Sequence, residues 1–273
     1  MLKLGCLAVV PVVAAFAASS PIDAALSRMY NFDFSAADRI LDRHMAEHPS
    51  DPLGPTFRAA SALFAELDRL MILEGEFFAD DKRIAEKKKL KADERMRERF
   101  YADIEKARGI ARGRLASRAD DTDALFALCL TAGLVTDYVA LIDKRQLGSL
   151  SHARESHGYA VRLLKLDPSF ADAYLTTGLT EYLLGSVPFF LRWFLRFEEA
   201  QGDKMRAVNN LERVIRDGKY LGPFAKILLC IVHLREKRLV PCERLLTELV
   251  RDFPENPLLR KELTKVRNTA LKR

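Results

Sequence analysis

The chain is poor in cysteine, with four in 273 residues, and this excludes a small disulfide-stapled scaffold. Cys6 lies in the N-terminal apolar stretch, so Cys129, Cys230 and Cys242 are left for the folded part. An odd number in an exported chain leaves at least one thiol unpaired or intermolecular. Strict apolar–polar alternation over β-branched residues is missing too. Val9-Val10 and Val12-Val13 fall in the first 18 residues, and the remaining Val and Ile recur at helical spacings. A sheet fold is thereby excluded and an all-α fold expected. Beyond Leu4–Ala18 no segment reads as a bilayer-spanning helix, which needs about 20 apolar residues. One-sided charge is also lacking. Net charge is +6, falls by one if Lys3 is removed, and comes largely from residues 82–118. That is no global nucleic-acid signature, and no nucleic-acid partner is expected. G-x-S-x-G, P-loop and dinucleotide fingerprints are all absent. No cofactor and no catalytic residues are expected.

What is present is a helix-forming composition, 49% apolar and 30% charged, rich in Ala, Leu, Arg, Lys and Glu. The N-terminus reads Met1-Leu2-Lys3, then apolar Leu4–Ala18 with Ala15-Phe16-Ala17, then Ser19-Ser20-Pro21. One cation, a short apolar core and small residues predict a secretory signal peptide over 1–18 and a folded domain over 19–273. Pro11 argues against a stable anchor helix. Leu4-Gly5-Cys6 lies too close to the start for a lipoprotein leader. A periplasmic or secreted location is the expectation.

Punctuation divides the remainder into paired helical segments. Ser35 is a candidate N-cap for a helix ending at Pro49. Pro52, Gly54 and Pro55 mark a turn before a helix over 56–78, and a heavily charged helix is expected over 82–118. Asp120-Asp121-Thr122 caps a helix over 123–144, which Gly148-Ser149 is expected to break. Helices over 151–166, 169–184, 203–217, 222–236, 241–253 and 256–271 follow.

The stretch from Leu166-Asp167-Pro168 through Phe170 and Tyr174 to Gly178, then Glu181-Tyr182-Leu183-Leu184-Gly185, places Pro, aromatic, Gly and Tyr at telling intervals. Three second helices carry a small residue, a large apolar residue four later, and a terminator. These are Ala37/Leu41/Pro49, Ala207/Leu211/Gly218 and Cys242/Leu246/Pro254. A small residue lets paired helices approach closely, and the terminator stops the second one. Together they resemble the tetratricopeptide repeat, with Thr177 in place of the usual Leu and the Tyr displaced by one. Residues 183–257, with Gly185-Ser186-Val187-Pro188, Gly202-Asp203-Lys204 and Phe253-Pro254, are also similar to the inclusion-body clearance/tetratricopeptide-repeat branch and to exported bacterial repeat proteins. The resemblance implies a right-handed solenoid of four to five helical hairpins, a protein-binding role, and no catalytic residues.

Four features hold possible chemistry. His44-Met45-Ala46-Glu47-His48 spells H-x-x-E-H, with both histidines on one helix face, the spacing of a zinc hydrolase site. Against it, Pro49 ends the helix at once, and His44 falls where the repeat buries a residue. The run from Lys82 to Arg118 interleaves cations with Glu and Asp, the pattern of a solvated, ion-paired face. Phe189–Phe197 is nine residues of Phe, Leu and Trp with Arg192 and Arg196 one turn apart. It suits a helix roofing the concave groove, a membrane surface, or a partner site. The groove itself would be lined by Leu175, Leu179 and Tyr182 and by Phe224, Ile227 and Ile231. Phe189, Trp193 and Phe194 complete this candidate surface. Cys230 and Cys242 occupy facing small-residue positions of the last hairpin, within reach of a disulfide. The expected function is an exported scaffold for an unknown protein partner. The alternatives are an apolar-ligand or membrane-surface binder using 187–198, and, more distantly, a zinc hydrolase.

Overall fold

The computed structural model describes residues 20–73, 91–186, 197 and 199–271. Among these no strand occurs, and eleven α-helices pack in chain order. They are α1 (Pro21–Tyr30), α2 (Phe34–Glu47), α3 (Leu53–Arg69), α4 (Glu94–Ser117), α5 (Thr122–Asp137), α6 (Gln146–Leu166), α7 (Tyr174–Ser186), α8 (Lys204–Asp217), α9 (Gly222–Arg235), α10 (Leu239–Asp252) and α11 (Pro257–Leu271). Each packs on the next, so α1/α2, α3/α4, α5/α6, α7/α8 and α9/α10 form five hairpins, with α11 on the end. First helices of neighbouring hairpins also touch, α1 with α3 and α3 with α5.

Helix starts follow their caps. Ser20 and Asp23 form a reciprocal capping box on α1. The carboxylates of Asp33, Asp93, Asp121 and Asp203 accept backbone N–H bonds at the starts of α2, α4, α5 and α8. The start of α2 is a correction to the expectation from Ser35, since Asp33 takes the cap and Ser35 lies inside the helix.

The turns within hairpins recur. Asn31-Phe32-Asp33, Asp143-Lys144-Arg145 and Glu236-Lys237-Arg238 each link a first helix to a second in three residues. Their central residues are left-handed, at φ 64°, 59° and 57°. This is the helix-ending αL conformation, here without glycine. In the first and fifth hairpins the closing bonds match: Asp33 N donates to Arg28 O at 2.9 Å, and Arg238 N to His233 O at 2.8 Å. The third hairpin carries a π-turn, Tyr138–Ile142, that extends α5. The break expected at Gly148-Ser149 is therefore corrected: it falls at Lys144, and Gly148 lies inside α6.

The small-residue rule of the sequence is met at α7 and α8. A Cβ on Gly178 would lie 3.0 Å from Asn210 Cβ and 3.2 Å from Ala207 O, so any larger residue would need α8 to give way by a few tenths of an ångström. The opposite case is Gly109 and Gly113 on the outer face of α4, where an added Cβ meets nothing within 4 Å. Glycine inside a helix costs about 0.8–1 kcal/mol relative to Ala. Gly109→Ala and Gly113→Ala are each expected to raise folding stability by about 0.5–1 kcal/mol, read as a higher urea midpoint at constant m-value. Loss of stability in both would show that this face is already covered.

One apolar core runs from Ile22 to Val266 through all five hairpins. A second lies where α3, α4 and α5 meet, with Leu67, Ile72, Phe100, Ile104 and Tyr138 at its centre. α11 buries Leu259, Leu263 and Val266 and turns Arg260, Lys261, Thr264 and Arg267 outward, which is how a terminal repeat is kept soluble.

The stack curls back on itself. Phe57 of α3 lies 5.5 Å from Tyr220, just before α9, and Tyr220 stacks on Phe126 of α5 at 6.0 Å. Phe64 of α3 meets Phe224 of α9 edge-on at 5.5 Å. Tyr30 packs on Phe253 at 4.9 Å. Asn256 Nδ2 donates to Tyr30 O at 2.7 Å, and Glu255 N to Asn31 Oδ1 at 3.0 Å. Hairpins one and two thus touch hairpin five across the inner face.

Candidate functional site

The inner faces of the first helices are the surface expected to bind. Leu175 and Tyr182 are buried, while Leu179, Phe224, Ile227 and Ile231 are half-buried. Phe224 is engaged by Phe64, and Phe57, Phe126 and Tyr220 fill the inner face beside it. Aromatics from α3 and α5 therefore cover part of this inner face. Phe189, Trp193 and Phe194 lie outside the described residues. Phe197, the end of that segment, meets His157 of α6 edge-on at 5.6 Å. Glu199 pairs with Lys165 of α6 at 2.8 Å. Phe197 and Glu199 thus lie against α6, the second helix of the third hairpin.

The buried carboxylates hold turns together. Asp172 accepts from the backbone N–H groups of Lys219, Tyr220 and Leu221. Glu181 accepts from those of Gln201, Gly202 and Asp203 and from Arg206. Glu66 binds Arg69 and the N–H of Asp93. Asp121 binds Arg114 and Arg118 besides capping α5, and the three donors hold its carboxyl below the usual range against the opposing effect of burial. Each ties two elements of the stack, and a buried carboxylate so saturated has little capacity left for substrate.

The H-x-x-E-H stretch lies on the last turn of α2. His44 is buried, and its Nε2 lies 2.8 Å from Asp51 Oδ2 in the turn that follows. Its ring sits 4.9 Å from that of His48. Among the described residues no group of three or more His, Cys, Asp or Glu is arranged to hold a metal ion. The arginines of α4 are largely spoken for. Arg99 pairs with Asp38, Arg97 with Asp143, and Arg108 with Glu105 and Glu155. Asp103 of the same helix and Asp42 of α2 bracket Arg58 of α3, which raises the pKa of that guanidinium. A shallow hollow beside α4 is lined by Gly113, Arg114, Arg118 and Asp121, three of which already bind one another.

Comparison with protein-family models, curated proteins and solved structures finds no match. The site must therefore be read from its own chemistry.

Cys230 and Cys242 are brought together, as their helical positions require. Both are buried, both are free thiols, and Cys230 Sγ lies 3.6 Å from Cys242 O. The hydrogen bond with Cys242 and burial push the Cys230 thiol pKa up, which keeps Cys230 a neutral thiol while folded. Cys129 is buried elsewhere, against Ser156 and Thr176.

One helix among the described residues, Thr122–Ile142, is long and apolar enough to cross a membrane, and it is the core helix of the third hairpin. At its end stands Asp137, half-buried, its pKa pushed up to about 7 by desolvation alone. A raised folded-state pKa means the protonated form is favoured by folding. The associated stability is complete below about pH 4, falls as pH rises, and is gone above about 7. Asp137→Asn is expected to raise stability only slightly at pH 4.5 and by about 1–3 kcal/mol at pH 8, the lower end reflecting residual solvent access. Parallel unfolding curves for both proteins at the two pH values would contradict this.

Sequence reasoning missed the turn-holding carboxylates and the inner aromatics. Gly218-Lys219-Tyr220 beside an Asp in the preceding hairpin was the available signal for the first.

Proposed function

We propose that this chain is an exported, right-handed tetratricopeptide-type repeat scaffold that binds a protein partner and carries out no catalysis. The observation that carries this reading is the repeated hairpin. Three three-residue turns with a left-handed central residue, closing helices that pack pairwise in chain order, build one fold unit several times over, which is how interaction scaffolds are made. The saturated state of Glu66, Asp121, Asp172 and Glu181 supports the non-catalytic half of the proposal. The apolar leader of 18 residues supports export. The partner surface comprises the half-buried inner residues Leu179, Ile227 and Ile231, the 189–197 segment, and the charged outer face of α4. The test is site-specific photocrosslinking in cells from Leu179, Ile231 and Lys106. One recurrent protein adduct, competed away by unlabelled chain and reconstituted with purified partner, is expected. Absence of any protein adduct from all three positions would refute the scaffold.

A second reading, contact with a membrane surface through 187–198, is favoured by the unusual density of Trp, Phe, Leu and Arg there. Vesicle binding abolished by Trp193→Ala/Phe194→Ala would support it, and unaltered binding would remove it.

A further inference from the structure

The two edges of the stack differ. Turns within hairpins line one edge, and turns between hairpins line the other. Among the described residues seven large apolar side chains are exposed, and six lie on the first edge: Met71, Leu147, Leu183, Met205, Val240 and Leu271. Leu166 alone lies on the second. From Leu147 onward they run along successive units: hairpin three, hairpin four, hairpin five and α11.

Cations accompany them in a repeated pattern. Lys144-Arg145-Gln146-Leu147 and Lys237-Arg238-Leu239-Val240 occupy the same turn in hairpins three and five. Leu147 is 86% and Val240 77% exposed. Arg145, Lys237 and Arg238 are exposed and have no ion-pair partner among the described residues. In each turn the preceding acid is already engaged, Asp143 by Arg97 and Glu236 by Lys204. Arg145 and Arg238 also break a local rule. They stand at the N-cap of a second helix, without a side-chain cap bond, where α2, α4 and α8 carry Asp. Arginine there forgoes a capping bond and meets the positive end of the helix. A stability cost accepted twice at equivalent positions marks a use other than folding. The second edge lacks this pairing: its turns carry Asp51, Asp120, Asp167 and Glu255 together with Arg118 and Lys219, and its single exposed large apolar side chain is Leu166.

We propose that the edge formed by the turns within hairpins docks on an anionic lipid surface, with Arg145, Leu147, Lys237, Arg238 and Val240 as its contacts. Single protruding apolar side chains, each beside a cation and none in a groove, suit shallow insertion among headgroups. A protein interface would instead call for one contiguous patch with a dry centre. This deepens the membrane reading but places the contact outside the 187–198 segment.

The test is co-sedimentation of the purified chain with phosphatidylcholine vesicles, with and without phosphatidylglycerol, at low and high salt. Binding is expected only with phosphatidylglycerol and is expected to weaken with salt. Each cation at such a surface is worth about fivefold in partitioning. Arg145→Asp/Arg238→Asp should therefore lose more than about tenfold of binding. The same variant installs two N-cap aspartates, so its thermal midpoint should hold or rise, which separates lost docking from lost folding. Leu147→Ser/Val240→Ser should weaken binding with all charges in place. Wild-type binding that ignores phosphatidylglycerol, or a charge variant that binds as wild type, overturns the proposal. Capture by polyglutamate without vesicle binding overturns it in favour of an acidic protein. Binding lost in Trp193→Ala/Phe194→Ala but kept in Arg145→Asp/Arg238→Asp overturns it while leaving the broader membrane reading standing.

Discussion

Asp172→Ala is expected to cost about 3–5 kcal/mol of folding stability. Asp172 lies in the 3-10 turn before α7 and is 3% exposed. Its Oδ2 accepts from Lys219 N at 2.9 Å, its Oδ1 from Leu221 N at 2.8 Å, and both oxygens from Tyr220 N at 3.2 Å. These three donors form the turn between α8 and α9, so one carboxylate sets how hairpin five leaves hairpin four. Gly218 makes room for it, since a Cβ there would stand 2.8 Å from Asp172 Oδ1. Alanine would leave three N–H groups facing a dry cavity, each costing about 1–3 kcal/mol unless water enters. Burial pushes the Asp172 pKa up against the pull of those donors. Asp172→Asn keeps one acceptor oxygen and should lose only about half as much. Urea unfolding gives the energies, and hydrogen exchange at Tyr220 and Leu221 should accelerate most in the alanine variant. An Asp172→Ala protein within about 1 kcal/mol of wild type would show that the turn holds without its carboxylate.

Local chemistry was legible in the sequence wherever one residue decides a boundary. Pro49, Asp121 and Asp203 end or start helices where expected, because a proline or an N-cap acts within a single turn. The Cys230–Cys242 proximity was legible for the same reason, as both positions belong to one short hairpin. The break between α5 and α6 was misplaced because a left-handed lysine, not the nearby glycine, ends the helix. Nothing in the preference of lysine announces that conformation.

The inner face was the least legible part. Leu175, Tyr182, Phe224 and Ile231 were expected on inner helical stripes, and what faces them depends on curvature accumulated over several hairpins. Small rotations per hairpin add up, and a few degrees more or less per step decide between an open groove and contact between hairpins two and five. Tyr30 shows the result: its hydroxyl is buried beside the Phe224 backbone, and burial raises its pKa. No periodicity within α1 reveals that partner, nearly 200 positions away.

Phe57 and Tyr220 give that closure a number. Phe57 is 2% and Tyr220 7% exposed, and truncating either to Ala should cost about 3–5 kcal/mol. The more telling quantity is their coupling. In a stack where each hairpin meets only its neighbours, substitutions in hairpins two and five add independently. Rings 5.5 Å apart cannot behave so. The double variant should be less damaged than the sum of the singles by about 0.5–1.5 kcal/mol. Phe57→Leu and Tyr220→Leu repeat the cycle if the alanine proteins unfold. Strict additivity in both cycles would mean that the two hairpins do not meet in solution. The inner face would then be an open apolar groove, Leu179, Ile227 and Ile231 would be exposed along it, and the protein-binding surface would have to be sought there before anywhere else.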